Sequence, residues 1–443
     1  MAPRPPRRFR GGYTYVASNA TSRVTHVGSG RITSRAALLV GGVLLTLTAC
    51  TGGDHGPAYN TVLPSATSIL PSSTTIAGAT TTTGVPVQTL IGICSSPVVV
   101  QLDGNLDLWA TPYAALTSDV GVSDGLRYRA QFLEPITRQP LGIDIELRTI
   151  GALPAGTTVE SAVLGDTSIL LGATTINEVF PTTTLRPILV AAPWTEGDLA
   201  LRWTLSSPTS SALTIGDLAG TVIANPDLNL PAAGYLQASG LLPRKRDVGI
   251  VRPQAKPGGT TGDAALLHVL DDPARLVPLI ESTGLERAQL LAEVGWEPYP
   301  HALVTRPDGI EPRLDCLRAV IPLIQKAVLR TSRQPRTTTD RLATIARQMG
   351  TSFATTQSVE QLQAAISLGL LGAGNESDKI SANISQGRFV QIAKAQALSS
   401  RVLKPRLTLP KDLNKITARR LDRRFLDSSV TFDAEVADLI PEA

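Results

Sequence analysis

From about residue 85 the chain alternates between short apolar runs and longer segments with helical spacing. The runs VQTLIGI (87–93), PVVVQL (97–102), IDIELRTI (143–150), TSILLGA (167–173), RPILVAA (186–192), GTVIAN (220–225), DVGIV (247–251) and HALVTR (301–306) have the length and β-branched content of strands. Segments of helix length lie between several of them: Ala232–Ser239, Ala264–Ser282, Glu311–Leu329 and Thr338–Met349. After about residue 311 the spacing is mainly helical, with Leu314, Ala319, Val320, Leu323, Ile324 and Val328 recurring at helical intervals. Strands alternating with helices predict an α/β body with mostly parallel sheets and a helical C-terminal part. No internal repeat is present.

The segment before residue 85 is of another kind. Residues 1–49 hold seven arginines and no acid, and they end in the uncharged run AALLVGGVLLTLTA (36–49). Fourteen apolar residues are too few to span ~30 Å of hydrocarbon but suit the apolar core of a signal peptide. The run closes on Leu47-Thr48-Ala49-Cys50, which resembles the lipobox of bacterial lipoproteins, where the cysteine thiol is acylated. Cleavage before Cys50 removes seven of the 41 basic residues. The remaining 34 stand against 37 acids, so the net charge falls from +4 to −3. The basic balance therefore belongs to the targeting segment, and an electrostatic case for nucleic acid disappears. Aromatics at 4% also leave little for base stacking. Residues 50–88 read as a Ser/Thr/Pro-rich tether. Half of residues 61–84 are Ser or Thr, too polar to offset the chain entropy of folding.

Candidate chemistry is sparse. Gly121-Val122-Ser123-Asp124-Gly125 matches G-x-S-x-G, but its flanks are polar, whereas a nucleophile elbow needs a strand before the serine and an apolar helix after it. Only His55, His268 and His301 follow the signal segment, and no H-E-x-x-H, C-x-x-C or acidic calcium loop occurs. Neither a metal nor a cofactor is expected, and the chain does not read as an enzyme. Cys94 and Cys316 are the thiols left after Cys50. In an exported chain they could pair as a disulfide or remain buried thiols.

Residues 130–428 resemble a known group. Phe132-Leu133-Glu134, Leu141-Gly142-Ile143-Asp144-Ile145-Glu146-Leu147, Gly165-Asp166 and Leu171-Gly172-Ala173-Thr174-Thr175 follow, in order, the "F…GLDVEL" and "GDxDIGxGGT" elements of extracytoplasmic substrate-binding proteins of ABC importers. The subgroup is the one serving nitrate, sulfonates and thiamine-pyrimidine precursors. Ile215-Gly216-Asp217-Leu218-Ala219-Gly220 is similar to its crossing segment, and Pro300–Arg306 followed by Asp308-Gly309-Ile310 to its return strand. The "GGT" element reads Gly-Ala-Thr here. The resemblance implies a two-lobe periplasmic-binding-protein type 2 fold with a central cleft. Lobe I would be residues 89–185, lobe II residues 186–300, with residues 301–443 returning to lobe I and ending in helices. Val87–Ile93 and Leu106–Ala110 compete as the first strand.

Ligands of open α/β sheets bind beyond the carboxyl ends of the strands. Thr174, Thr175 and Asn177 end one such strand and Asn225 another, and Trp109 and Tyr113 are where the site is sought if those polar residues serve only as caps or packing groups. These six are the expected ligand contacts. The expected function is a monomeric, lipid-anchored solute-binding protein on the outer face of the cell membrane, which hands a small molecule to an ABC permease and its ATPase. A sensor or surface module of the same fold, and an enzyme of pyrimidine-precursor type, are the alternatives.

Overall fold

The computed structural model describes residues 89–176, 186–195, 199–204, 222–224, 230–241, 248–250, 265–269, 286–351, 353, 355–372, 378–403 and 412–432. The signal segment, Cys50, the tether, Asn177 and Asn225 lie outside the described residues.

In chain order the strands are β1 (Val98–Gln101), β2 (Thr117–Ser123), β3 (Arg127–Leu133), β4 (Pro140–Arg148), β5 (Ile169–Ile176), β6 (Ile188–Ala191), β7 (Leu199–Thr204), β8 (Val222–Ala224), β9 (Val248–Ile250), β10 (Ala265–Val269), β11 (Glu286–Leu290) and β12 (Tyr299–Thr305). The helices are α1 (Thr111–Ala114), α2 (Val159–Gly165), α3 (Leu230–Ala238), α4 (Leu314–Arg333), α5 (Pro335–Gln348), α6 (Thr355–Ser367), α7 (Gln386–Leu403) and α8 (Leu413–Ala418). Two sheets result. The larger has the order β2-β3-β4-β1-β5-β12-β6 and the smaller β11-β7-β10-β8-β9. The α/β class with a helical C-terminal part is the one expected, but the sheets are mixed rather than mostly parallel. β1 pairs in parallel with β4 and β5, and β8 with β9 and β10, while the other neighbouring strands run antiparallel, β2–β3 and β3–β4 through short hairpins.

β1 sits at the centre of the larger sheet because all four of its residues are buried, the pattern of a strand covered on both faces. It pairs in parallel with β4 and β5, while β12 returns antiparallel between β5 and β6. β4 alternates instead: Leu141, Ile143, Ile145 and Leu147 face the core, and Asp144 and Glu146 meet Arg129 and Arg148 on the other face. At Gly172 the close approach of α2 demands a missing side chain, since a Cβ there would lie 2.5 Å from Val163 Cγ2. α4 buries Leu317, Val320, Ile321, Leu323, Ile324 and Val328. Its buried Gln325 donates to the Ser381 and Asp427 carbonyls and accepts from the Asp427 N–H, so one amide fastens the C-terminal loops to the core. Cys94 and Cys316 are joined as a disulfide between the segment before β1 and α4.

Several expectations need correction. Of the expected strand Val87–Ile93, residues 87 and 88 lie outside the described residues and 91–93 form a turn, where the chain doubles back through Gly92 at φ +76° and the Ile93 and Cys94 N–H groups return to the Leu90 carbonyl. Residues 108–114 are short helices, the first capped by Asp107 and the second with Pro112 in its first turn, so β1 alone is the first strand. Part of Ala264–Ser282 is β10, whose continuous apolar run ALLHV cannot be told from a helix by periodicity. β6 belongs to the larger sheet, so the chain leaves it after β6 and not at residue 186; β11, the last strand of the smaller sheet, ends at Leu290, before the return through β12. The G-x-S-x-G stretch, by contrast, is the polar turn that its flanks predict: it lies at the β2–β3 hairpin, where Ser123 Oγ accepts the Gly125 N–H at 3.0 Å.

Candidate functional site

Three chain segments meet at the carboxyl end of the central parallel strands. The first is the loop after β1, which carries Asp103 and Asp107 and runs into the helical turn bearing Trp109. The second is the end of β5, with Thr174 and Thr175. The third is the start of β12, which returns antiparallel and so opens at that same end, with Tyr299 opposite Ile176 and Ala302 opposite Thr174. Between those two pairs the register shifts, so that Pro300 and His301 stand against Thr175, with His301 held at φ +46°. A non-glycine residue in left-handed conformation at a bulge is strained, and such strain concentrates where a side chain must be aimed.

The bulge aims His301 at Asp103. Its Nδ1 lies 2.6 Å from Asp103 Oδ1, and both side chains keep some exposure, at 16% and 20%. The other carboxylate oxygen accepts the Thr175 backbone N–H at 3.1 Å. Asp103 thus joins β1, β5 and β12. The Trp109 indole stacks on the His301 ring, with centroids 4.5 Å apart and planes 23° from parallel. Trp194, fully buried after β6, meets Trp109 edge-on at 4.5 Å and donates its Nε1–H to the Trp109 carbonyl at 3.0 Å. An indole face, an imidazole and two carboxylates are therefore fixed on one rim by backbone and aromatic contacts.

Asp107 is the electrostatically unusual member. Burial pushes its carboxyl up to about 6, against the pull of His301 and the Trp109 N–H, with Asp103 adding repulsion. Its Oδ1 accepts the Trp109 N–H at 3.1 Å, so it also caps the turn that carries the indole. Tyr113, on α1, is fully buried; burial and the nearby Asp103 both raise its phenol, and its hydroxyl has no hydrogen-bond partner. Among the described residues no group of three His, Cys, Asp or Glu side chains could hold a metal ion.

Of the six expected contacts, Trp109, Thr174 and Thr175 come together at this rim, and Tyr113 lies beneath it near Asp103. Asn177 and Asn225 fall outside the described residues. The sequence reading missed Asp103, Asp107 and His301 as partners. His301 was legible only as part of the return strand HALVTR (301–306). The available signal was positional: an acid directly after a run of buried β-branched residues stands at a strand's carboxyl end. Trp296, by contrast, packs against Tyr235 at 5.5 Å.

No family model matches the chain, and no curated protein matches it. Among solved structures it is similar to the periplasmic aliphatic sulphonate binding protein of Escherichia coli, at 16% identity and a TM-score of 0.43 over 74% of this chain and 93% of that one. It is similar also to the periplasmic nitrate-binding protein of Synechocystis PCC 6803, at 12% identity and a TM-score of 0.40 over 79% and 93%. A third is a Candida albicans protein of the generic periplasmic binding protein fold, at 9% identity and a TM-score of 0.41 over 75% and 98%.

Proposed function

We propose that the chain is a solute-binding protein that captures a small molecule at the rim formed by Asp103, Asp107, Trp109, Thr174, Thr175 and His301. The observation that carries this reading is the His301–Asp103 pair under the Trp109 face. Here a strained bulge, a capped turn and a strand end are all committed to one polar cluster beyond the parallel strands. Such outlay is unnecessary for packing and is what a fixed recognition site requires. Two carboxylates disfavour a bare anion. They suit a solute that presents N–H or O–H donors, with a flat or apolar part against the indole. Asn177 and Asn225 are proposed to add amide contacts. In this reading Cys50 is acylated, the segment 50–88 tethers the body outside the membrane, and the loaded protein delivers its solute to an ABC permease driven by its ATPase.

A thermal-shift screen over amines, amino acids, pyrimidines, sulfonates and nitrate tests the site. A ligand that binds only the folded state raises the apparent stability by RT ln(1 + [L]/Kd). We expect a hit whose shift is lost in Asp103→Asn and His301→Gln, both of which must first melt as the wild type does. A hit that survives both substitutions places the site elsewhere.

A further inference from the structure

A polar cavity lies away from that rim, between the β2–β3 hairpin and helices α4 and α5. Its volume is about 390 Å³, many times the ~30 Å³ that one water occupies in the liquid. Three arginines line it, each from a different element. Arg138 comes from the β3–β4 turn, Arg330 from the last turn of α4 and Arg341 from α5.

Their partners leave the charge poorly matched. Arg341 is the best satisfied. Its Nη1 lies 2.9 Å from Asp119 Oδ1, its Nε and Nη2 reach Thr117 Oγ1 at 3.1 and 3.2 Å, and Nη2 reaches Tyr128 Oη at 3.1 Å. Arg138 donates to the Ala115 and Thr117 carbonyls, and Arg330 to the Pro135 carbonyl. Among the described residues neither Arg138 nor Arg330 has a carboxylate within ion-pairing distance. Glu134, the nearest buried acid, spends Oε2 on the Ile136 and Thr137 N–H groups and the Thr137 hydroxyl, and Oε1 on Lys326 at 3.5 Å. Asp119, the one acid paired with a cavity arginine, is 86% exposed. Asp340 also lines the cavity and is exposed. Burial and the repulsion of Arg330 and Arg341 pull Arg138 down to about 10 against the attraction of Asp119 and Glu134, and burial lowers Arg330 against the same two acids.

The helix that forms one wall adds to the imbalance. α5 has 14 residues, no side-chain cap and no acid in its first turn, and Arg336 stands where the helix dipole favours an anion. Thr337 and Thr338, from that first turn, line the cavity. A carboxylate would offer two oxygens and one charge. A phosphate offers three or more acceptors and −1.5 to −2 charges, the better match for several guanidinium forks.

We propose that this cavity is a binding site for a phosphate group, formed by Arg138, Arg330 and Arg341 at the uncapped start of α5. The proposal is independent of the solute reading, because no residue is shared with the Asp103–His301 rim. A free phosphate ester and an anionic phospholipid headgroup present the same chemistry.

The full chain is titrated calorimetrically with inorganic phosphate and with glycerol phosphate. It is also sedimented with vesicles of phosphatidylglycerol and phosphatidylcholine, with pure phosphatidylcholine as the neutral comparison. We expect saturable phosphate binding that weakens as chloride rises, falls about ten-fold or more in Arg330→Gln, and stays unchanged in His301→Gln. Should Arg330→Gln melt differently from the wild type, Asp119→Asn replaces it; removing the exposed acid should tighten binding several-fold. Vesicle binding that needs both phosphatidylglycerol and Arg330 assigns the site to headgroups. Phosphate binding without it assigns the site to soluble esters. No binding by about 10 mM phosphate together with no vesicle binding, an affinity unchanged in both Arg330→Gln and Asp119→Asn, or loss of binding in His301→Gln overturns the proposal.

Discussion

Asp107 offers the most direct test of whether the rim is built for recognition at the expense of stability. Its carboxyl titrates near 6 in the folded chain against 3.8 for the free side chain, and the first cause is burial. The sign follows from linkage. A raised folded-state value means that the unfolded chain loses the proton first. Asp107 therefore imposes nothing below the unfolded value, and its penalty grows as pH rises from 3.8 to 6, then levels off. A shift of about two units corresponds to ~3 kcal/mol, and because Asp107 is only part-buried we expect about 1–3 kcal/mol. Asp107→Asn keeps an oxygen to accept the Trp109 N–H and removes the charge. The variant should gain about 1–3 kcal/mol at pH 7.5 and almost nothing at pH 4, read as denaturant midpoints of the two proteins side by side. It should also lose affinity for the solute found in the screen, which is the usual exchange between stability and function at a binding site. Equal stabilisation at both pH values would show that the carboxylate is not desolvated. A stable variant with full affinity would show that Asp107 is merely the cap of the Trp109 turn.

Three further outcomes follow from the same structure. The Cys94–Cys316 bridge closes a loop with a sequence separation of 222 residues, for which chain entropy gives ~5 kcal/mol as an upper bound, so reduction or Cys316→Ala should shift the unfolding midpoint strongly; an unchanged midpoint refutes it. Gly172→Ala should destabilise by about 1–3 kcal/mol by forcing Val159 and Val163 of α2 away from β5, and an unaffected melting temperature would show that α2 moves freely. Cys50→Ala should abolish acylation and release the chain from the membrane fraction, and intact mass spectrometry of a wild-type chain that retains residues 1–49 with a bare Cys50 would sink that reading.

Strands built on an apolar run were legible in the sequence, whereas β2, β3, β7 and β11, with charged or polar residues among their apolar ones, were not. β1, β4, β5, β6 and β12 read directly, because burial on one or both faces leaves a period that survives without neighbours. The helical character after residue 311 was equally plain from its spacing. Boundaries and exchanges of sheet were not. β10 has no period to distinguish it from a helix, and the run that ends in the turn at residues 91–93 is apolar because Leu90 is buried by its neighbours, not because it pairs as a strand. The rim was half visible. Thr174 and Thr175 could be placed at a strand end by rule, whereas His301 lies 198 residues from Asp103 in the chain. Only the antiparallel return of β12, and a bulge that turns one residue out of register, bring that imidazole onto the carboxylate. The arginine cavity belongs to the same class of fact: Arg138 and Arg341 are ordinary surface residues in the sequence, and they become neighbours because the β2–β3 hairpin packs against α5. Local period fixes which face of an element is buried. Which charges then meet depends on chain segments hundreds of residues apart, and that is settled only when the elements close on a common core.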